Sequence, residues 1–184
     1  MKCEKCCGEL HRESIEKHEA DSSLYGGIRV VLVNGSVQGL VCKNCKHVVR
    51  VEIPDAEGLT AAVVVARALM PVKLNGREIK FMRKAMELPA KELAEKLDVS
   101  EETISRWENQ QVIGGANEKL FRYLACNSLG SSAPAIPWEM DHILDLNIGA
   151  RLKGEEILLF YERANLKVKA TIKPVWTEEP RKVA

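Results

Sequence analysis

Cys3-Glu-Lys-Cys6 and Cys42-Lys-Asn-Cys45 are two CxxC pairs with 35 residues between them. A two-residue gap lets both sulfurs of a pair turn towards one point, and two such pairs supply the four thiolates that tetrahedral zinc prefers. Whatever lies between the pairs must therefore return the chain to where it began. Four sulfurs also fill every coordination position, which points to a structural zinc and away from a catalytic one, where a position stays open. Ordinary buried thiols and a redox CxxC are the competing readings. Redox work needs a βαβ context around one pair, and the sequence shows none. Cys7 could replace Cys6 as a ligand, but only Cys6 makes a CxxC with Cys3. His11, His18 and His47 could lend a contact around the metal, exposed surface histidines being the simpler reading. Cys126 lies on an apolar stretch and reads as a small core residue.

Between the pairs, "IRVVLVNGSVQGLVC" sets β-branched residues on both sides of Asn34-Gly35, a dipeptide suited to the positive φ angles of a tight turn, and predicts a hairpin. Residues 1–53 are thus expected to be a small zinc-bound hairpin domain. Residues 54–72 read as a helical connector with one helix over about 59–70. Residues 73–133 read as helical throughout. Their apolar positions recur at Ile79, Met82 and Met86, at Leu93, Ala94 and Leu97, at Ile104 and Trp107, and at Leu120, Tyr123 and Leu124. "NSLGSSAPAIP" is a linker by composition. In the extension 134–184, "WEMDHILDL" suggests a helix, and "EEILLFYE" with "LKVKATIKPVW" two strands, the second alternating Val168, Ala170 and Ile172 on one face. The expected class is α+β with several domains. Aromatic residues make up only 5% of the chain, which favours small modules over one large aromatic-rich core.

Several functions are excluded or left unsupported. The longest apolar candidate, Leu59 to Met70, is interrupted by Arg67 and falls short of a membrane span. The charged, cysteine-rich opening "MKCEKCCGEL" is unlike a secretory signal, so the expectation is a cytoplasmic protein with reduced thiols. Net charge is +1, and residues 73–133 carry ten Lys and Arg against nine Asp and Glu, so bulk electrostatics lends nucleic-acid binding no support. No nucleophile with a matching base and no glycine-rich phosphate loop is visible, and the expectation is that the protein is not an enzyme.

The stretch "LPAKELAEKLDVSEETISRWENQ" predicts one helix from about Pro89 to Leu97, a turn at Asp98-Val99-Ser100, and a second helix to about Asn109. Pro89 suits a first helical turn and Ser100 an N-cap. Ala94 is small where two helices approach closely, Val99 packs into the turn, and Ile104 and Trp107 hold the second helix on the core. Asp98 stands where glycine is common, because Asp visits the left-handed region readily. This is the spacing of a helix-turn-helix, whose second helix enters the major groove.

"MRKAMELPAKELAEKLDVSEETISRWEN" resembles the lambda-repressor-like (XRE) helix-turn-helix domain, over residues 76–130. The resemblance implies a five-helix bundle whose third helix reads DNA, and a buried ion pair between Arg83 and Glu108. "MKCEKC" with "GLVCKNC" resembles the zinc domain of MqsA-type antitoxins, in which a zinc module, a connector and an XRE domain follow in that order. Base-facing positions then fall on Glu101, Glu102, Thr103 and Arg106. Arg106 suits a bidentate contact to guanine, Glu102 a cytosine amine, and Thr103 a thymine methyl or a phosphate. Lys91 is implied at phosphate, and Lys80, Lys84, Lys119 and Arg122 could join it, although a solvated helix face is the simpler reading of any one lysine. The implied partners are double-stranded DNA with a palindromic operator, a cognate toxin held by the zinc domain, and a second copy of the chain. A protein-interaction adaptor that binds a toxin or other protein without DNA is the alternative. The extension is expected to help dimerisation through its strand edges.

Overall fold

The computed structural model describes residues 2–109, 112–152, 154–168 and 171–179. Among them are five strands and six α-helices in a mixed α/β arrangement. β1 (Leu10–Glu19) runs antiparallel to β2 (Arg29–Cys42), and β3 (Val48–Glu52) pairs antiparallel with the second half of β2. The first half of that same β2 edge takes β4 (Leu158–Val168) in parallel, from Arg29↔Leu158 to Leu32↔Tyr161. β5 (Thr171–Glu178) closes the order antiparallel to β4. A parallel pair needs a long crossover, and here the whole helical part of the chain serves as one.

The hairpin expected at Asn34-Gly35 is not a reversal. Both residues do adopt positive φ, 55° and 66°, but inside one continuous strand. The register against β1 jumps there from Ile15↔Val37 to Lys17↔Val33, so the dipeptide makes a bulge. Ser14 Oγ donates to Gly35 O at 2.8 Å and Ser36 Oγ donates to Val33 O, which ties the bulge down. Left-handed geometry at two residues serves a bulge as well as a turn, and the ten-residue β1 outcompetes any pairing of β2 with itself. The chain reverses earlier, at a 3-10 turn over Ser22–Tyr25 followed by Gly26 and Gly27, both at positive φ.

α1 (Ala56–Leu69) begins at Asp55, whose side chain accepts from Gly58 N at 3.1 Å. Expected as part of a connector, it is apolar on nearly every side, and Leu59, Ala62, Val63, Val64 and Val65 are fully buried. One hydrophobic cluster runs from Ile28, Val30 and Leu32 of β2 through α1 to Phe121 and Cys126, and on to Tyr161 and Trp176. Tyr161 Oη donates to Ala62 O at 3.1 Å, and Trp176 Nε1 to Asp55 O at 3.0 Å, so the C-terminal strands hold α1 directly. No helix among the described residues is long and apolar enough to cross a membrane.

α2 (Gly76–Ala85), α3 (Ala90–Leu97), α4 (Glu101–Asn109) and α5 (Gly115–Leu129) follow, and then α6 (Met140–Asp145). Within 73–133 the described residues form four α-helices where the resemblance implied five. The further helix packed on them, α1, comes from the preceding segment. The helix expected beyond residue 134 and the strand at "EEILLFYE" are present, but "LKVKATIKPVW" is not one strand. Leu166, Lys167 and Val168 end β4, Thr171 to Trp176 belong to β5 and pair back on them from Val168↔Thr171, and β4 joins β2 of the N-terminal segment to complete its sheet. Of the face expected from Val168, Ala170 and Ile172, Ile172 is exposed, whereas Ala170 and the Val168 side chain lie outside the described residues.

Four charged side chains are fully buried where helices meet: Arg67, Glu78, Glu118 and Arg122. Arg67 donates to Glu78 Oε2 at 3.0 Å and to the carbonyls of Val72 and Lys73, both at 2.9 Å. Arg151, from the loop before β4, reaches the other Glu78 oxygen at 2.7 Å. Arg122 donates to Glu118 Oε1 at 2.7 Å and to the carbonyls of Ala68, Met70 and Val72 at 2.8, 2.6 and 2.6 Å. Arg122 therefore cannot contact phosphate. Glu118 stands one turn before it on α5, at i,i+4 spacing.

Candidate nucleic-acid interface and metal centre

The two cysteine pairs are built alike. Cys7 N donates to Cys3 O at 2.8 Å and Lys46 N to Cys42 O at 3.0 Å, and the residue after each pair, Cys7 or Lys46, has φ 57°. Cys3 N in turn donates to Gly8 O, and Cys42 N to His47 O. These matched loops aim four sulfurs at one point: Cys3 lies 3.6 Å from Cys45, and Cys6 lies 3.4 Å from both Cys42 and Cys45. All four lie within 4.8 Å of one another. A tetrahedron of sulfurs around zinc has an edge of about 3.8 Å, so the donor set fits such an ion. Cys7 is not among the four.

Backbone N–H groups of Cys45 and Asn44 point at the Cys42 sulfur and pull its thiol down to about 6. Against the opposing pull of the Gly8 N–H, contacts with Cys42 and Cys45 push Cys6 up to about 12. The four sulfurs thus face one another across a space that a cation can occupy. Gly8 makes room: a Cβ there would sit 2.9 Å from Cys42 Sγ and from Asn44 Nδ2. His11 bonds Val41 O at 2.9 Å and His47 lies 3.9 Å from Glu4, so both are engaged away from the sulfurs. Cys126 is buried in the core, which drives its thiol up to about 12.

The second candidate site is the pair α3 and α4. Leu93, Ala94 and Leu97 bury one face of α3, and Asp98 ends the helix at φ 53°, ψ 48° in the left-handed region. Val99 N then donates back to Ala94 O at 3.0 Å. Ser100 opens α4, its Oγ accepting from Thr103 N at 3.3 Å. Ile104 and Trp107 are buried, which turns Glu101, Glu102 and Arg106 outward as exposed residues with Thr103 half-buried beside them. Arg83 and Glu108 meet as a fork, Nε to Oε1 at 2.6 Å and Nη2 to Oε2 at 3.3 Å, while Arg83 Nη1 donates to Leu88 O. That one guanidinium ties α2, the α2–α3 loop and α4 together. Glu102 is held below the usual carboxylate range by its own backbone N–H, by the Ser100 hydroxyl and by the charge of Arg106 one turn on.

Residues 79–113 match the helix-turn-helix family. No curated protein and no solved structure matches the chain. The helix-turn-helix is the fold that DNA-binding regulators use to place a helix in the major groove, and the match spans α2 from Ile79 and both helices of the motif, ending at Ile113 shortly before α5.

Lys80, Lys84 and Lys91 are exposed around the helix-turn-helix. Lys119, also expected at phosphate, instead donates to Leu144 O and ties α5 to the end of α6. The buried Arg67–Glu78–Arg151 chain escaped the sequence reading, in which Arg67 served only to interrupt an apolar run. An arginine inside such a run is itself a signal of a buried partner, because an unpaired charge there is costly.

Proposed function

We propose that the protein is a zinc-containing transcriptional regulator that binds a palindromic operator as a homodimer, with α4 as its reading helix. The observation that carries this is the outward placement of Arg106 on α4 while Ile104, Trp107 and the Arg83–Glu108 fork hold that helix from behind. A guanidinium so presented suits the bidentate contact to guanine O6 and N7, worth about 1–3 kcal/mol in discrimination. Glu102 is proposed to accept from a cytosine amine, Thr103 to meet a thymine methyl or phosphate, Glu101 to flank them, and Lys91 to neutralise a phosphate. Arg83 and Glu108 have a structural role in this reading. Residues 1–53 hold the metal, 73–133 read DNA, and 54–72 with 134–184 join them.

A single helix-turn-helix reads too few base pairs to select a site, and a two-fold pair doubles the reading. Leu120 on α5 and Met140 and Leu144 on α6 are exposed apolar side chains that a second copy would cover. Arg106→Ala is expected to weaken operator binding about tenfold or more, read by mobility shift on fragments selected from genomic DNA. Undiminished affinity would remove the groove-reading role.

The antitoxin reading, a repressor of its own promoter that also holds a toxin, draws on the order of metal module, helix and helix-turn-helix. The adaptor alternative draws on Glu101 and Glu102, whose charges oppose a duplex. DNA binding that falls steeply with salt supports the regulator; indifference to DNA at low salt supports the adaptor. For the metal, the purified chain is expected to carry about one zinc, and Cys42→Ser to carry almost none, by elemental analysis. Full zinc content in that variant would place the ion elsewhere.

A further inference from the structure

α2 turns three cations, Arg77, Lys80 and Lys84, to one exposed face. At 1.5 Å per residue the i, i+3, i+7 spacing makes a row about 10 Å long. Among the described residues no carboxylate pairs with any of the three. The chain as a whole is nearly neutral, with 27 Lys and Arg against 26 Asp and Glu, so an unpaired basic row is a local feature and no overflow of composition.

Beside the row lies an open groove of about 710 Å³, walled by α2 and the 3-10 turn at Ser22–Tyr25. Leu24 stands at its lip, 67% exposed, and Phe81 forms part of its floor, edge-on to Tyr25 with ring centres 5.8 Å apart. Gly26 makes the close approach of the turn possible: a Cβ there would lie 2.8 Å from both Arg77 O and Phe81 Cβ. Past Thr60, Lys84 and Ala85 it meets a second groove of about 680 Å³ at the start of α1, whose walls include Asp55, Glu57 and Glu87. The cations therefore rim the first groove alone, a partly apolar trough that turns acidic beyond Lys84.

We propose that this trough docks an acidic amphipathic helix of a protein partner, its carboxylates on Arg77, Lys80 and Lys84 and its apolar face on Leu24 and Phe81. Helix-in-groove recognition lays the apolar face of a partner helix into such a groove, and complementary charge along the rim sets the orientation and the association rate. A duplex backbone meets a protein mainly with its phosphates and gives Leu24 little apolar cover, and a single small anion would leave most of the row unmatched. The surface lies on α2, apart from the outward face of α4; Lys80 and Lys84 are also candidate phosphate contacts, so the test carries a DNA arm.

The probe is a labelled helical peptide of about four turns, with Glu at i, i+3 and i+7 and Leu on the adjoining face, titrated into the full chain by fluorescence anisotropy. Binding is expected to weaken about tenfold or more when Lys replaces Glu in the peptide, when the chain carries Arg77→Glu, Lys80→Glu and Lys84→Glu, and separately in Leu24→Asp. Amide shifts should centre on Leu24, Phe81 and Lys84. All four substituted side chains are exposed, and an unchanged thermal melt confirms that the fold persists. Equal affinity for acidic and basic peptides, unchanged binding after charge reversal, or shifts centred on α4 would each overturn the proposal. So would a charge-reversed chain that keeps the peptide and loses a DNA duplex, since the row would then serve phosphate.

Discussion

A chain ending at Pro134 is expected not to fold. The cut removes β4 and β5, and with them Ile157, Leu159, Tyr161, Val175 and Trp176, all buried. Each such side chain contributes about 1.5–3 kcal/mol on burial, so their joint loss rivals the whole stability of a typical domain, about 5–15 kcal/mol. Hydrogen bonds go as well. Leu32 and its neighbours lose the parallel partner on one edge of β2, and the start of α1 loses the Trp176 indole that donates to Pro54 O and Asp55 O. The truncated chain should bind hydrophobic dyes and show a collapsed amide spectrum. A dispersed spectrum with a cooperative melt would mean that the sheet and helices stand without the C-terminal strands.

Arg122→Met carries the second-largest expected cost, about 3–5 kcal/mol, because it strands the Glu118 carboxylate in a dry interior. In a domain of this size that lowers the melting temperature by roughly 10 °C. Burial pulls the Arg122 pKa down, and the neighbouring Glu118 carboxylate opposes that pull. Replacing both members of a buried ion pair with apolar residues often restores stability. Here it should not. Glu118 Oε1 also accepts from Leu74 N at 2.9 Å, and Arg122 satisfies the carbonyls of Ala68, Met70 and Val72. The double variant Glu118→Leu with Arg122→Met would leave those backbone groups buried and unpaired, at about 1–3 kcal/mol each. Thermal melts of the single and double variants check this, and a double variant as stable as the parent chain would refute the backbone role.

The helix-turn-helix was legible almost residue by residue. Its signals are local: Ser100 caps the helix it begins, Asp98 tolerates the left-handed angle at its own position, and Ile104 and Trp107 share a face by helical periodicity alone. The cysteine cluster was legible for a related reason, since a two-residue gap with a left-handed residue after it makes the same loop at Cys3–Cys6 and at Cys42–Cys45. Asn34-Gly35 shows where local signals stop. Positive φ at two residues is compatible with a turn and with a bulge, and only the presence of β1 alongside decides between them. Arg122 shows the same limit, because its charge and its place on a helix say nothing about whether three carbonyls wait for it across an interface.

The covalent chain by itself determined the bounds of α3 and α4, the four sulfurs and the outward set on α4, because each depends on residues within a few positions of one another. Tertiary structure alone decided that β4 pairs with β2, that α1 is the centre of the core, and that Arg67, Glu78, Glu118 and Arg122 leave water together. Those outcomes rest on partners far apart in the chain. Their free energy comes from burying shared surface and from satisfying backbone groups that no local pattern exposes.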